Sequence, residues 1–269
     1  MPHAAAAKRA AREARSSPAL RVLARGGYAA NGVVHVLIGV IVLVIAAGGR
    51  GESDQAGAFK AIASAPLGFV ALWALAILLA GLGLWHAADG VIASRSSDVK
   101  KWGVRISEWG QALVFLALGV IAASVALGAK PDADESAQEA SRGVLSIPGG
   151  PWLLGLVGVG IGIGGIAFVV MGVLRSFRSK VDIPPGRLGT AVTVLGVVGF
   201  VAKGVALVVV GVLLVVAAVK VDADAAGGLD GAVQALLDVF GGPFLVGLVG
   251  GGFVAYGVFC FFRARYARL

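Results

Sequence analysis

Residues 27–47 read GYAANGVVHVLIGVIVLVIAA, twenty-one residues without a carboxylate, lysine or arginine. At about 1.5 Å rise per residue, such a run crosses roughly 30 Å, the hydrocarbon thickness of a bilayer. Its opening returns late in the chain: Gly27-Tyr28-Ala29-Ala30-Asn31-Gly32-Val33 aligns with Gly199-Phe200-Val201-Ala202-Lys203-Gly204-Val205, sharing Gly, Ala, Gly and Val in register. The stretch is a membrane span, and it belongs to a repeat.

Working outward, Gly39-Val40 falls opposite Gly119-Val120 and Gly211-Val212. A second set of spans is opened by Gly68, Gly150 and Gly242, with Pro66 matching Pro148 and Gly83, Gly165 and Gly257 in register near the middle. Small residues let backbones approach in lipid, where no hydrophobic effect draws helices together, so Gly39, Gly83, Gly119, Gly165, Gly211 and Gly257 read as helix-packing positions. The glycines at 158, 160, 162, 164 and 165, and the pair Gly247 and Gly251, read the same way. After a basic tail, 1–20, the units are 21–98, 99–182 and 183–269. Each holds an outgoing helix, an external loop and a returning helix, so successive units share one orientation. The fold class this implies is an all-α membrane protein: six transmembrane helices as three parallel hairpin repeats in a pseudo-threefold bundle, with short interfacial helices in the external loops. The clearest of these spans Asp230 to Phe240, capped by Asp230, with Val233, Leu236, Leu237 and Phe240 on one face. Asp54 similarly starts a segment carrying Phe59 and Ile62.

Composition agrees, with 58% hydrophobic residues, 14% charged residues and 42 glycines among 269 positions. The single cysteine, Cys260, excludes an intramolecular disulfide and a multi-cysteine metal cluster. Six basic residues (Lys8, Arg9, Arg12, Arg15, Arg21 and Arg25) precede the first span in the manner of a signal peptide. The span is too long for one and recurs within the repeat, so it is kept as the first membrane helix. Of the lysines and arginines, seventeen lie in the two tails and the even-numbered links (Arg95, Lys100, Lys101 and Arg105 in the second). Five lie in the external loops, together with ten acidic residues. By the positive-inside rule both termini are cytoplasmic. The net charge of +8 then serves topology and anionic lipid, and nucleic acid is not among the partners implied. The segment Ala4 to Arg15 reads as a surface-lying helix.

Ionisable groups inside spans are costly and carry a functional hypothesis. His35 and His86 lie about two turns in from the cytoplasmic side, roughly 10 Å deep, placed to face one another. Asn31 is one turn from His35 and Asp89 one turn from His86. Asn31, Gln111 and Lys203 share one repeat position and form a polar layer, with Asp89 and Glu108 at similar depth. An ammonium there calls for a carboxylate, so Lys203 is expected to pair with Asp89 or Glu108, or else to snorkel to the headgroups. The histidines either lock the first hairpin through hydrogen bonds or ligate a haem or metal. The repeat weighs against ligation, because His35 corresponds to Phe115 and Leu207, and His86 to Phe168 and Cys260. The motifs of serine hydrolases, phosphate loops and zinc peptidases are absent.

The pattern Gly-Tyr/Phe-x-Ala-x-Gly-Val, followed by Gly-Val and repeated in three hairpins, resembles the bacterial integral membrane proteins grouped as domain of unknown function 1206, seen mainly in actinobacteria. The resemblance spans residues 21 to 265. In the middle unit Glu108-Trp109-Gly110-Gln111-Ala112 replaces the opening motif. The resemblance implies this architecture and residence in the inner membrane, and no chemistry. The expected role is non-enzymatic: scaffold, accessory subunit or lipid-binding module, with membrane lipids and another membrane protein as partners and no cofactor. The alternatives are a solute or proton pathway along the polar layer and a single-haem redox anchor on His35 and His86.

Overall fold

The structure is a computed structural model and describes residues 2–94 and 97–269, with side chains from Ala6 onward. Arg95, counted above in the second link, lies outside the described residues. The described residues form ten α-helices: α1 Pro2–Ser16, α2 Pro18–Ala46, α3 Gln55–Ala63, α4 Gly68–Ile92, α5 Asp98–Ala126, α6 Ala133–Leu145, α7 Gly150–Val173, α8 Gly186–Lys220, α9 Leu229–Leu237 and α10 Gly242–Tyr266. Six of them (α2, α4, α5, α7, α8 and α10) are long and apolar enough to cross a membrane. The short helices α3, α6 and α9 sit one in each expected external loop. The protein is a multi-pass, all-helical membrane protein built of three repeated segments.

Contacts divide the chain into two compact units. One comprises Met1–Asn31, Ile62–Ala129 and Arg263–Leu269; the other comprises Gly32–Ala61 and Lys130–Phe262. Helices α2, α3 and α10 therefore contribute to both.

Glycine explains why neighbouring spans fit. In the first unit a Cβ on Gly83 of α4 would meet the Ala112 carbonyl of α5 at 3.1 Å, and one on Gly119 would meet the Ala76 carbonyl at 3.1 Å. In the second unit a Cβ on Gly165 of α7 would meet the Gly204 carbonyl of α8 at 2.7 Å, and one on Gly211 would meet that of Gly158 at 2.7 Å. There too, a Cβ on Gly257 of α10 would meet the Gly32 carbonyl of α2 at 2.6 Å, and one on Gly39 would meet that of Gly250 at 2.7 Å. In the repeat register these are one crossing made three times. Each joins the returning helix of one repeat to the outgoing helix of another, and the third joins the last span to the first. Small residues seven apart return to one face after two turns, which sets the spacing.

The turns into the returning helices are also alike. A Cβ on Gly68, Gly150 or Gly242 would collide with a carbonyl of the preceding short helix: Ile62, Val144 or Leu237. The residue before each has positive φ: Leu67 at 63°, Gly149 at 78° and Gly241 at 74°.

Some expectations are displaced. Gly247 and Gly251 do not make the α10 crossing; a Cβ on Gly247 would meet only the Ala46 Cβ at 3.9 Å and one on Gly251 would meet open space. Gly250 and Gly257 face α2 instead. Gly160 and Gly164 likewise have open space beside them, because they lie off the face that carries Gly158, Gly162 and Gly165; the backbone of Gly162 is part of the crossing, where a Cβ on Gly211 would meet its amide nitrogen at 2.7 Å. Helix α9 begins at Leu229 with Gly228 as its N-cap residue. Asp230 does not cap it, since its carboxylate accepts the Ser53 amide at 3.0 Å and the Ser53 hydroxyl at 2.6 Å. Asp54 does take the capping role on α3, accepting the Gly57 amide at 2.7 Å.

Candidate functional site

In the first unit α4 and α5 bring His86 and Glu108 together. His86 Nδ1 lies 2.6 Å from Glu108 Oε2, with the side chains 3% and 8% exposed. The imidazole stacks on Phe115 at 5.6 Å between ring centres and meets the edge of Tyr28 at 6.2 Å. Its Nε2 is 3.5 Å from the Tyr28 hydroxyl, which accepts a hydrogen bond from Arg263 Nη2 at 3.1 Å. The Arg263 guanidinium also lies 4.2 Å over the Tyr28 ring. The partners assign the tautomer: a proton on Nδ1 donates to the carboxylate, leaving the Nε2 lone pair toward Tyr28. Donation then runs in one direction, from Arg263 to Tyr28 to His86 to Glu108. A cation stands at one end and a carboxylate at the other, so the buried set neutralises itself.

Repeat register shows what this set replaces. Glu108 holds the place of Tyr28 and Phe200, and His86 that of Phe168 and Cys260. In the second unit Phe168 and Phe200 stack at 5.7 Å and 24°. A polar pair thus occupies one crossing where another has two aromatic rings.

Asp89, on the same face of α4, is met from outside the spans by Arg15 of α1, Nε to Oδ1 2.9 Å. The Arg15 guanidinium covers Trp85 at 4.8 Å. Arg25 of α2 donates to the carbonyls at the end of α10, Ala264 at 3.0 Å and Arg265 at 2.7 Å, and to that of Ala267 just beyond it at 3.3 Å. It thereby satisfies groups that a helix end leaves open. Asn31 is buried, and Gln111 turns back to donate to the Ser107 carbonyl of its own helix at 3.3 Å.

In the second unit Lys203 of α8 donates to His35 Nε2 of α2 at 3.2 Å. Its ammonium lies 4.7 Å over Tyr256 and 5.4 Å over Phe168. The His35 ring adjoins Tyr256 at 4.8 Å and Phe253 at 5.9 Å. An imidazole lone pair and two π faces hold this cation. The sequence asks Asp89 or Glu108 to neutralise Lys203. Within their own units Asp89 is met by Arg15, Glu108 by His86, and Lys203 by this aromatic box. Phe200 centres the neighbouring rings, stacking on Phe177 at 5.2 Å and 5°. The 3₁₀ turn Ser176–Lys180 delivers Phe177, and Gly196 leaves it room.

Outside the spans, the loops of the second unit are tied by carboxylates. Asp134 Oδ1 accepts the Gly228 amide at 2.7 Å, and Arg142 pairs with Asp224 at 2.9 Å. Burial raises the Asp54 carboxyl above its ordinary range, and the charges of Glu52, Asp230 and Asp134 push the same way. Asp134 is raised too, again first by burial.

Among the described residues no three His, Cys, Asp or Glu side chains converge as a metal site would need. Sequence reasoning singled out His35, His86, Asp89, Glu108 and Lys203, and missed Tyr28, Arg263 and Arg15. Register offers a signal for two of them, since Tyr28 holds the place of Glu108 and Arg263 that of Asp89.

The comparisons agree with this architecture. The sequence pattern described as Domain of Unknown Function (DUF1206) matches residues 26–93, 109–175 and 183–267, one segment per hairpin. The chain is similar to an uncharacterized protein of Bacillus subtilis (strain 168), YxxB, at 26% identity over 260 residues, covering 94% of each chain. No solved structure matches it. With three matched segments covering most of its length, this chain belongs to the DUF1206 family.

Proposed function

We propose that this protein is a non-enzymatic module of the bacterial cell membrane, a lipid-binding scaffold or accessory subunit with both termini cytoplasmic, organised as the hairpins 21–98, 99–182 and 183–269. The supporting observation is that buried polar side chains engage one another: Glu108 holds His86, Arg263 holds Tyr28, and aromatic rings close over both histidines. A catalyst or carrier keeps a reactive group open to its substrate, whereas a set that satisfies itself fixes helices. In this reading Asn31, His35, His86, Asp89, Glu108, Gln111 and Lys203 are structural. Lipids and a second membrane protein are the partners.

The directional chain from Arg263 to Glu108 favours a second reading, a proton-carrying site. Reconstitution into liposomes with a pH-sensitive dye separates the two. The module reading expects no proton flux above protein-free vesicles. A flux that disappears in Glu108→Gln would establish the second. A haem on His35 and His86 fits poorly, because Lys203 Nζ stands at one Nε2 and the Tyr28 hydroxyl at the other. Protein from haem-replete cells should therefore be colourless, and a Soret band would overturn that.

A further inference from the structure

At the end of α2 remote from the amino terminus, the second unit has a cleft of about 450 Å³. One wall is apolar, formed by Ile45 of α2, Leu237 of α9 and Pro243 of α10. Arg50 and Gln234 supply its functional groups, and the glycines of the turn after α2 keep it open. This volume lies within the range of small-ligand sites.

Charge in the cleft is one-sided. Arg50 is the one charged residue of the lining, and no carboxylate among the described residues pairs with it. The nearby acids are engaged: Glu52 by Lys60 at 2.5 Å, Asp54 by the Gly57 amide and Asp230 by Ser53. Asp238, next to Leu237, is exposed and outside the lining. The cleft lies where α2 ends and α10 begins, at the level of lipid headgroups for two spanning helices. Beside it Phe240 is fully exposed and Phe244 is 70% exposed, an apolar surface suited to the membrane boundary. Register makes the guanidinium particular to this crossing, because Lys130 and Asp222 stand where Arg50 does.

We infer that this cleft binds the phosphate of an anionic phospholipid, with Arg50 and Gln234 donating to the phosphate oxygens and the glycerol and upper acyl chain lying against Ile45, Leu237 and Pro243. A phosphate has acceptors for the guanidinium fork, and the chain below it has an apolar wall. The inference deepens the lipid-binding reading above and rests on it.

Native mass spectrometry of the full chain in mild detergent tests this, titrating phosphatidylglycerol, phosphatidylcholine and inorganic phosphate separately. Phosphatidylglycerol should be retained over phosphatidylcholine, and inorganic phosphate should not displace it. Arg50→Gln should weaken its retention about fivefold, the change that about 1 kcal/mol per basic residue represents. Gln234→Trp, which fills the cleft from an exposed position, should weaken it as well, while Lys130→Gln and Lys220→Gln should not. Both cleft variants should melt with the wild type, since neither residue is in the core. Equal retention of the two lipids, displacement by inorganic phosphate, or Arg50→Gln behaving as wild type would each overturn the cleft assignment alone. A wild-type protein that retains no lipid of either kind would remove the lipid-binding reading with it.

Discussion

Glu108 shows how a polar residue is kept in a span. Alone at 8% exposure its carboxylate would be costly, and His86 at 2.6 Å makes it tolerable. Removing one partner leaves the other uncompensated, so His86→Ala should cost about 3–5 kcal/mol, read as a lowered midpoint in thermal unfolding of the detergent-solubilised protein. Removing both is different. Because Phe168 and Phe200 stack at the equivalent place, the double variant His86→Phe with Glu108→Phe should be as stable as the wild type or more so. A double variant as unstable as the single one would mean that the pair is kept for more than packing. Asp54 carries a pH dependence whose sign follows from its environment. Its folded carboxyl is raised above the ordinary value of 3.8, so its contribution to stability is fully present below that value. The contribution is lost as pH rises through the raised folded value. Stability should therefore fall with rising pH across the weakly acidic range, and Asp54→Asn should flatten that slope.

At the scale of elements, crossings and turns recur with their glycines, and substitution should separate the necessary ones from the rest. A methyl group on Gly165 would press on the Gly204 carbonyl, so Gly165→Ala should cost about 1–3 kcal/mol. Gly160→Ala, with open space beside it, should gain about 0.5–1 kcal/mol from helix propensity. Leu67 takes the left-handed conformation that Gly149 and Gly241 take in the other repeats, so Leu67→Gly should relieve about 1 kcal/mol of backbone strain. Comparative melting of the three variants checks all these signs. Much at this scale is legible in the sequence, because spans follow from length and apolarity and the crossing glycines from register. The Gly247 and Gly251 pair misleads because spacing fixes which residues share a face, not which face meets a neighbour. Asp230 misleads because an aspartate preceding an apolar run reads as a cap, while a serine 177 positions away takes its carboxylate. The site is only half legible: burial cost picks out Glu108, His86 and Lys203, but Tyr28, Arg15 and Arg263 are ordinary tail or boundary residues until the fold brings them in.

For the whole molecule, the proposed topology with both ends cytoplasmic rests on six candidate spans among the described residues and on the partition of basic residues. Cys260 is fully buried, so Cys260→Ala gives a background for single-cysteine labelling. An impermeant maleimide should label Lys130→Cys in intact cells and Lys8→Cys only after permeabilisation; the reverse pattern would invert the topology. The last span meets the first through the crossing that joins the other repeats, and Arg25 binds the carbonyls at the end of α10. Covalent order is thus partly redundant with contact order. A circular permutant that starts at Ile183, joins Leu269 to Pro18 through a short flexible linker and stops at Asp182 keeps every crossing and the direction of every hairpin, so it should insert and fold without its native beginning or end.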